Sequence, residues 1–146
     1  TTEIYTLSLH DALPIFPEVL KKAEKNKDIA VYYYHFPLLR IHPAADVVTR
    51  AMIVAKNKGV KEVEKKIYEA NLLNEISTKE SDENVILKAV NKVLKTSITV
   101  TDIEDKKVLA EADKDIAMSE NMMVQGTPTL YVNGQMDRTR QLFEGL

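Results

Sequence analysis

The stretch Val124-Gln125-Gly126-Thr127-Pro128-Thr129-Leu130-Tyr131-Val132-Asn133-Gly134 constrains this chain more than any other. It reads as a loop, then a threonine-proline step, then a short strand of alternating apolar residues. Asn133-Gly134 closes that strand as a two-residue hairpin turn, and Gln135–Met136 returns beside it. The rest of the chain must therefore supply a sheet for this hairpin to join.

Upstream, Phe16-Pro17-Glu18-Val19-Leu20-Lys21-Lys22-Ala23 predicts a helix, with proline in its first turn and Val19, Leu20 and Ala23 on one face. Asp28–His35 is β-branched and aromatic and predicts a strand. From Pro43 to Lys58 the apolar residues Ala44, Val48, Ala51, Met52 and Ala55 keep helical spacing, with Gly59 as the stop. A second helix is expected over about 60–74, with Val63, Ile67, Ala70 and Leu73 inward. Ser81 is the candidate N-cap of a third, carrying Ile86, Leu87, Val90, Val93 and Leu94. Thr101-Asp102-Ile103-Glu104 has capping-box spacing ahead of a fourth, about 103–121, with Leu109, Ala112 and Ile116 inward. A last helix should begin within 138–145, packing Leu142 and Phe143 on the sheet. No internal repeat, Gly/Ser linker or low-complexity run interrupts this order.

Two of these places carry a resemblance. Val-x-Gly-Thr-Pro-Thr leading into a strand and Asn-Gly resembles the proline loop of thioredoxin-fold proteins, specifically the DsbA-like thiol:disulfide oxidoreductases. A strand ending His35-Phe36-Pro37-Leu38, followed by His42-Pro43-Ala44-Ala45 opening a helix, is similar to the junction into that family's helical insertion. The resemblance implies an α/β, thioredoxin-like fold with an inserted helical domain. The implied parts are 16–42 and 123–146 for the thioredoxin-like domain and 43–122 for the insertion. It further implies that Gln125, Gly126, Thr127 and Pro128 hold an extended polypeptide substrate like an added strand. The partners it implies are extended polypeptides and a redox protein, in a periplasmic or otherwise extracytoplasmic setting, with no cofactor. A low-pKa thiolate at the first helix's N-terminus, where the helix dipole favours an anion, would exchange disulfides with that substrate.

Against this stands one fact: the chain has no cysteine. The disulfide chemistry cannot run in it as written, and no catalytic residue is expected. Residues 1–15, Thr1 to Ile15, read codon for codon like a translated sequencing-library adapter and are expected to be non-native. They occupy the place where the family carries its first central strand and Cys-x-x-Cys. Without that strand, 29–34 and 129–132 lack a bridge, and each orphaned backbone group would cost ~1–3 kcal/mol. Two outcomes are expected: a poorly stable fold, or recruitment of Glu3–Leu9 as a substitute strand. The C-terminus is expected to stop about one turn into the last helix.

At 146 residues and 45% hydrophobic content the chain can bury one ordinary core. Its 20 Lys+Arg and 22 Asp+Glu are spread along the sequence, which argues against a nucleic-acid patch. No apolar run reaches the ~18 residues of a membrane span, and no signal peptide is visible. His35 and His42 flank a short Phe-Pro loop without convergent carboxylates, so they read as structural or groove-rim residues and no metal site is expected. Ser97 and Thr127 lack the context of a nucleophile. The Lys61–Lys66 run is a solvated helix face. Met118, Met122 and Met123 read as core, or alternatively as an adaptable peptide-binding patch.

Other readings remain open on the sequence. Thr127-Pro128 alone suits an ordinary turn before a strand. A non-catalytic thioredoxin-fold peptide-binding module is the alternative to the enzyme, and a mainly helical interaction domain is the third.

Overall fold

In the computed structural model the described residues are 2–7, 15–35, 43–72, 76–77, 79–125 and 129–146, of which 3–7 are described as backbone only. The elements are β1 (Thr2–Leu7), α1 (Phe16–Lys25), β2 (Ile29–Tyr34), α2 (Ala44–Asn57), α3 (Val63–Glu69), α4 (Glu83–Leu94), α5 (Val100–Ile103), α6 (Lys106–Asn121), β3 (Thr129–Val132), β4 (Gln135–Met136) and α7 (Gln141–Glu144). They fall into two compact units, one of 1–36 with 115–146 and one of 37–114.

In the first unit the four strands form one sheet in the order β2-β1-β3-β4. β1 lies parallel to β2 and antiparallel to β3, so Thr2–Leu7 fills the gap between the two strands that the sequence left without a bridge. This is the substitute strand expected over 3–9, starting one residue earlier. Ser8 and Leu9 lie outside the described residues. Placing a strand there pairs backbone groups of both neighbours at once, which is why a marginal strand sequence is used.

The hairpin forms as expected. Tyr131 pairs with Met136 and Val132 with Gln135, while Asn133 and Gly134 take φ of 50° and 80°. Two successive positive φ values match the right-handed twist of the flanking strands, and few residues other than Asn and Gly adopt them cheaply. All of Leu130, Tyr131 and Val132 are buried, so both faces of β3 are covered. α1 covers one face: the Phe16 ring meets the Tyr33 ring edge-on, with centroids 5.6 Å apart. Tyr34 lies on the opposite face by strand alternation and packs with Met122 and Met136 against buried Val124 and Tyr131.

The second unit is helical. The inward residues expected of α2 are all buried. The helix ends in a Schellman motif, with the Gly59 N–H donating to the Lys56 carbonyl at 2.9 Å and that of Val60 to Ala55 at 3.0 Å. Gly59 takes φ +82°, the left-handed conformation that motif requires. α3 buries Val63 and Ile67 but is shorter than expected. Glu62, at φ 54°, sets its start and Asn71, at φ 48°, follows its end. Ala70 is half-buried, and Leu73 lies outside the described residues.

Two cap assignments need correction. Asp82, not Ser81, caps α4, its carboxylate accepting from the Asn84 N–H at 2.9 Å and that of Val85 at 3.4 Å. A carboxylate one residue later than the hydroxyl reaches two orphan donors and adds charge to the helix dipole interaction. The capping box is Thr99-Val100-Thr101-Asp102, two residues before the expected one. Asp102 accepts from the Thr99 N–H at 2.8 Å, and the Thr99 hydroxyl accepts from the Asp102 N–H at 3.3 Å. The helix expected over about 103–121 forms as α6, starting three residues later with the single turn α5 ahead of it, and the Asp105 carboxylate accepts from the Lys107 N–H at 2.8 Å at its start. The break shifts the helical phase: Val108 and Ala112 are buried, whereas Leu109 is exposed and Ile116 half-buried.

Candidate functional site

One end of the sheet holds described residues that adjoin those singled out by the sequence. Leu7 of β1 pairs with Tyr34 of β2 on one side and Thr129 of β3 on the other, so the three form a row across the strands. Successive strands lie ~4.8 Å apart, which puts Thr129 within ~10 Å of Tyr34. Thr129 directly follows Pro128 in the chain and is the first residue of β3.

α1 begins at the same end. Phe16 touches Tyr33 near the end of β2, while the opposite terminus of α1 leads through Asn26, whose carbonyl accepts from the Ile29 N–H at 3.1 Å, into the start of β2. The helix therefore runs against the strands and turns its amino-terminal end towards the Tyr34–Leu7–Thr129 row. Its N-cap is Ile15, which is fully buried and makes no side-chain cap bond. The first turn holds Phe16, Pro17 and Glu18. Aliphatic and aromatic carbon thus stands where a helix N-terminus would lower the pKa of a nucleophile.

His35, immediately after β2, is buried. Its backbone N–H donates to Asp115 Oδ2 of α6 at 3.1 Å, and its ring meets Tyr33 edge-on at 5.0 Å. A carboxylate accepting a backbone N–H fixes the exit of β2, and with it the point where the chain leaves for the helical unit. His35 is thus structural, one of the two roles expected of it, and His42 lies outside the described residues.

On the other face, the Tyr131 hydroxyl donates to the Met122 carbonyl. The Met123 N–H donates to the Glu120 carbonyl at 2.9 Å and that of Val124 to Ser119 at 3.0 Å, a Schellman ending for α6 with Met123 at φ 53°. The three methionines divide: Met122 packs against Val124 and Tyr131, Met118 is half-buried and Met123 is exposed. Gln125 is exposed. Gly126, Thr127 and Pro128, the other expected substrate-binding residues, lie outside the described residues.

Sequence reasoning missed Asp115. In the run Asp113-Lys114-Asp115 it looks like solvated helix surface, and only the third dimension shows which carboxylate meets a strand end. Ser97 is exposed in the helical unit. Among the described residues there is no cluster of three or more His, Cys, Asp or Glu suited to a metal. No helix among them is long and apolar enough to cross a membrane. Asp102 has its carboxyl held below the usual range, first by the Thr99 backbone N–H and then by the Thr99 hydroxyl, and so belongs to the helical unit's caps.

No protein-family model and no curated protein matches the chain. Solved structures do. A thioredoxin-like oxidoreductase from Silicibacter pomeroyi DSS-3 is 17% identical with a TM-score of 0.69, over 92% of this chain and 76% of its own. A putative protein-disulfide isomerase from Pseudomonas syringae is 13% identical with a TM-score of 0.75, over 94% and 85%. A DsbA disulfide interchange protein from Klebsiella pneumoniae is 24% identical with a TM-score of 0.62, over 92% and 73%. At these identities the likeness establishes architecture: this chain has the thioredoxin-like fold with a helical insertion that the solved DsbA-type oxidoreductases share.

Proposed function

We propose that this scaffold is that of a DsbA-like thiol:disulfide oxidoreductase acting on protein substrates, and that the chain as written is inactive in exchange. The observation that carries the reading is the convergence at one sheet end. The amino-terminal end of α1 faces the row in which Thr129, the first residue of β3, lies across from Leu7 and Tyr34. In such an enzyme a thiolate at the helix terminus attacks a substrate disulfide, forming a mixed disulfide and releasing one substrate thiolate. A second cysteine then displaces the substrate, which leaves reduced while the pair ends as a disulfide; in the reverse direction a substrate thiolate attacks the enzyme's disulfide and the pair ends reduced. With no cysteine in the chain, neither sulfur is there to form the first bond. Gln125, Gly126, Thr127 and Pro128 retain the other half of the task, holding an extended polypeptide by its backbone. A periplasmic setting and a redox partner protein belong to the same reading.

A second reading has its own support. Thr2–Leu7 completes the sheet with no sulfur chemistry attached, as a peptide-holding module would require. Sequencing the encoding DNA through the Phe16 codon with long reads separates the two. An in-frame Cys-x-x-Cys just ahead of Pro17 supports the oxidoreductase. A genomic Thr1–Ile15 overturns it and leaves the binding module.

A further inference from the structure

Among the described residues β2 forms one edge of the sheet, and its residues, Ile29–Tyr34, include no charge, proline or glycine. An edge of this kind is a template for another strand, and folded proteins ordinarily blunt it with lysine, proline or a bulge. The hydrogen bonds fix which backbone groups face outward. The Thr2 N–H donates to the Asp28 carbonyl at 2.6 Å, and Thr2 is paired with Ile29. In a parallel ladder this phase turns the groups of Ala30, Tyr32 and Tyr34 towards β1 and those of Ile29, Val31 and Tyr33 away from it. Two bonds beyond the ladder agree: the Ile29 N–H donates to the Asn26 carbonyl at 3.1 Å, and the His35 N–H to Asp115 Oδ2 at 3.1 Å. These close the two ends of the outer edge. Between them, nothing among the described residues receives the outward N–H or C=O of Val31.

This edge is complementary to itself. Two copies laid antiparallel about a two-fold axis at Val31 set that residue opposite its own equivalent, and each N–H then donates to the other's carbonyl. Tyr33 meets Phe16 of α1, so alternation puts Ala30 and Tyr32 on the face away from α1. The same axis sets Ala30 of one copy directly opposite Tyr32 of the other. Tyr32 is 42% exposed and Ala30 is small and half-buried, so each tyrosine ring gains an alanine to lie over. The charges follow the same symmetry. Lys22, Lys25 and Lys27 outnumber Glu24 and Asp28 at the Ile29 end, whereas Glu18 and Asp115 stand at the Tyr34 end. An antiparallel pair sets each basic end against the other copy's acidic end.

We propose that the outer edge of β2 is an interface for a second copy of this chain, forming a closed two-fold dimer centred on Val31. The interface needs no cysteine and is independent of disulfide exchange. Each copy uses its one β2 edge, so assembly through it stops at two.

The test follows the full chain by sedimentation velocity from about 1 μM to about 1 mM. The unsubstituted chain should pass from monomer to dimer across this range. Val31→Pro removes the outward N–H without touching a bond to β1, and should raise the dissociation constant about tenfold. Tyr32→Lys, on the exposed face, sets two like charges ~7–8 Å apart across the axis and should weaken the dimer as well. Unfolding midpoints serve as the folding control, and the lysine variant decides if the proline one is destabilised. Register is read by cross-linking. Because the chain has no cysteine, Ala30→Cys and Tyr32→Cys each carry a single thiol. Mixed and oxidised with diamide, they should form the disulfide-linked heterodimer in excess of either homodimer, since directly opposed residues of a non-hydrogen-bonded pair lie within disulfide reach. A chain that stays monomeric throughout overturns the proposal, as does a dimer that both Val31→Pro and Tyr32→Lys leave intact, or assembly beyond two. Homodimer cross-links as abundant as the heterodimer overturn the axis at Val31.

Discussion

Asp137 should be worth more to the sheet unit than its exposed neighbours Arg138 and Arg140. It is only 6% exposed, its backbone N–H donates to the Leu130 carbonyl at 2.9 Å, and its Oδ2 accepts from the Phe143 N–H at 2.8 Å. One side chain thus ties the end of the hairpin to α7, four residues long and far too short to persist alone. Phe143 is 2% exposed, with Lys22 Nζ 5.1 Å from its ring centroid and donating to the Glu144 carbonyl at 3.3 Å. In Asp137→Ala the charge-assisted bond is lost and a buried N–H is left without its acceptor, costing roughly 1.5–3 kcal/mol. If α7 then lifts away, Phe143 burial worth about 2 kcal/mol goes too. Asp137→Asn keeps an oxygen acceptor and should lose less than about 1 kcal/mol. Urea unfolding followed by far-UV circular dichroism reads the difference, a midpoint ~1 M lower for the alanine variant. Amide exchange at Phe143 reads the mechanism, since protection should disappear there first. An alanine variant within ~0.5 kcal/mol of the parent, with Phe143 still protected, would refute the reasoning.

Four further outcomes are expected. Ile86→Ala, at a fully buried position of α4, should cost about 2–5 kcal/mol in urea unfolding through lost burial and the cavity left behind. Asp115→Ala removes the acceptor of the His35 N–H, and amide exchange at His35 should quicken while that at Ile86 in the helical unit does not. Met123→Gly should raise the unfolding free energy by up to ~1 kcal/mol, because the relieved left-handed strain exceeds the entropy that glycine adds to the unfolded chain. Asp102 has a folded pKa below its unfolded one, so its contribution is present above the unfolded value near 4 and is lost as pH falls through the lower folded value. A pH series of unfolding midpoints for Asp102→Asn should accordingly show a smaller drop below about pH 4 than the parent does.

What was legible in the sequence was whatever the backbone itself demands. Asn133-Gly134 specified its turn, and the turn specified the hairpin. The apolar spacing of 44–55 and 86–94 specified two buried helical faces whatever lay around them. Caps were read to within a residue or two, because Ser81 stands beside Asp82 and Thr99 two residues from Thr101. Adjacent residues of equal capping ability can be ranked only once the turn geometry is known. The carboxylates that hold the sheet unit, Asp115 and Asp137, were invisible. Lys-Asp-Ile and Met-Asp-Arg read as surface, and burial of an acid depends on a partner that is distant in sequence or not yet placed.

The central strand makes the broader point. Thr2–Leu7 has only partial strand character, yet it pairs along its whole length with β2 and over four residues with β3. The demand comes from the neighbours: two strands with unpaired inner edges stabilise almost any extended segment that reaches them with a tolerable pattern. Fold and chemistry therefore have separate requirements in this architecture. The sheet asks for backbone groups in the middle position, whereas disulfide exchange asks for two particular sulfurs a few residues later. A chain can meet the first requirement and fail the second, so likeness of fold to the DsbA-type structures is sound evidence for how this molecule is built.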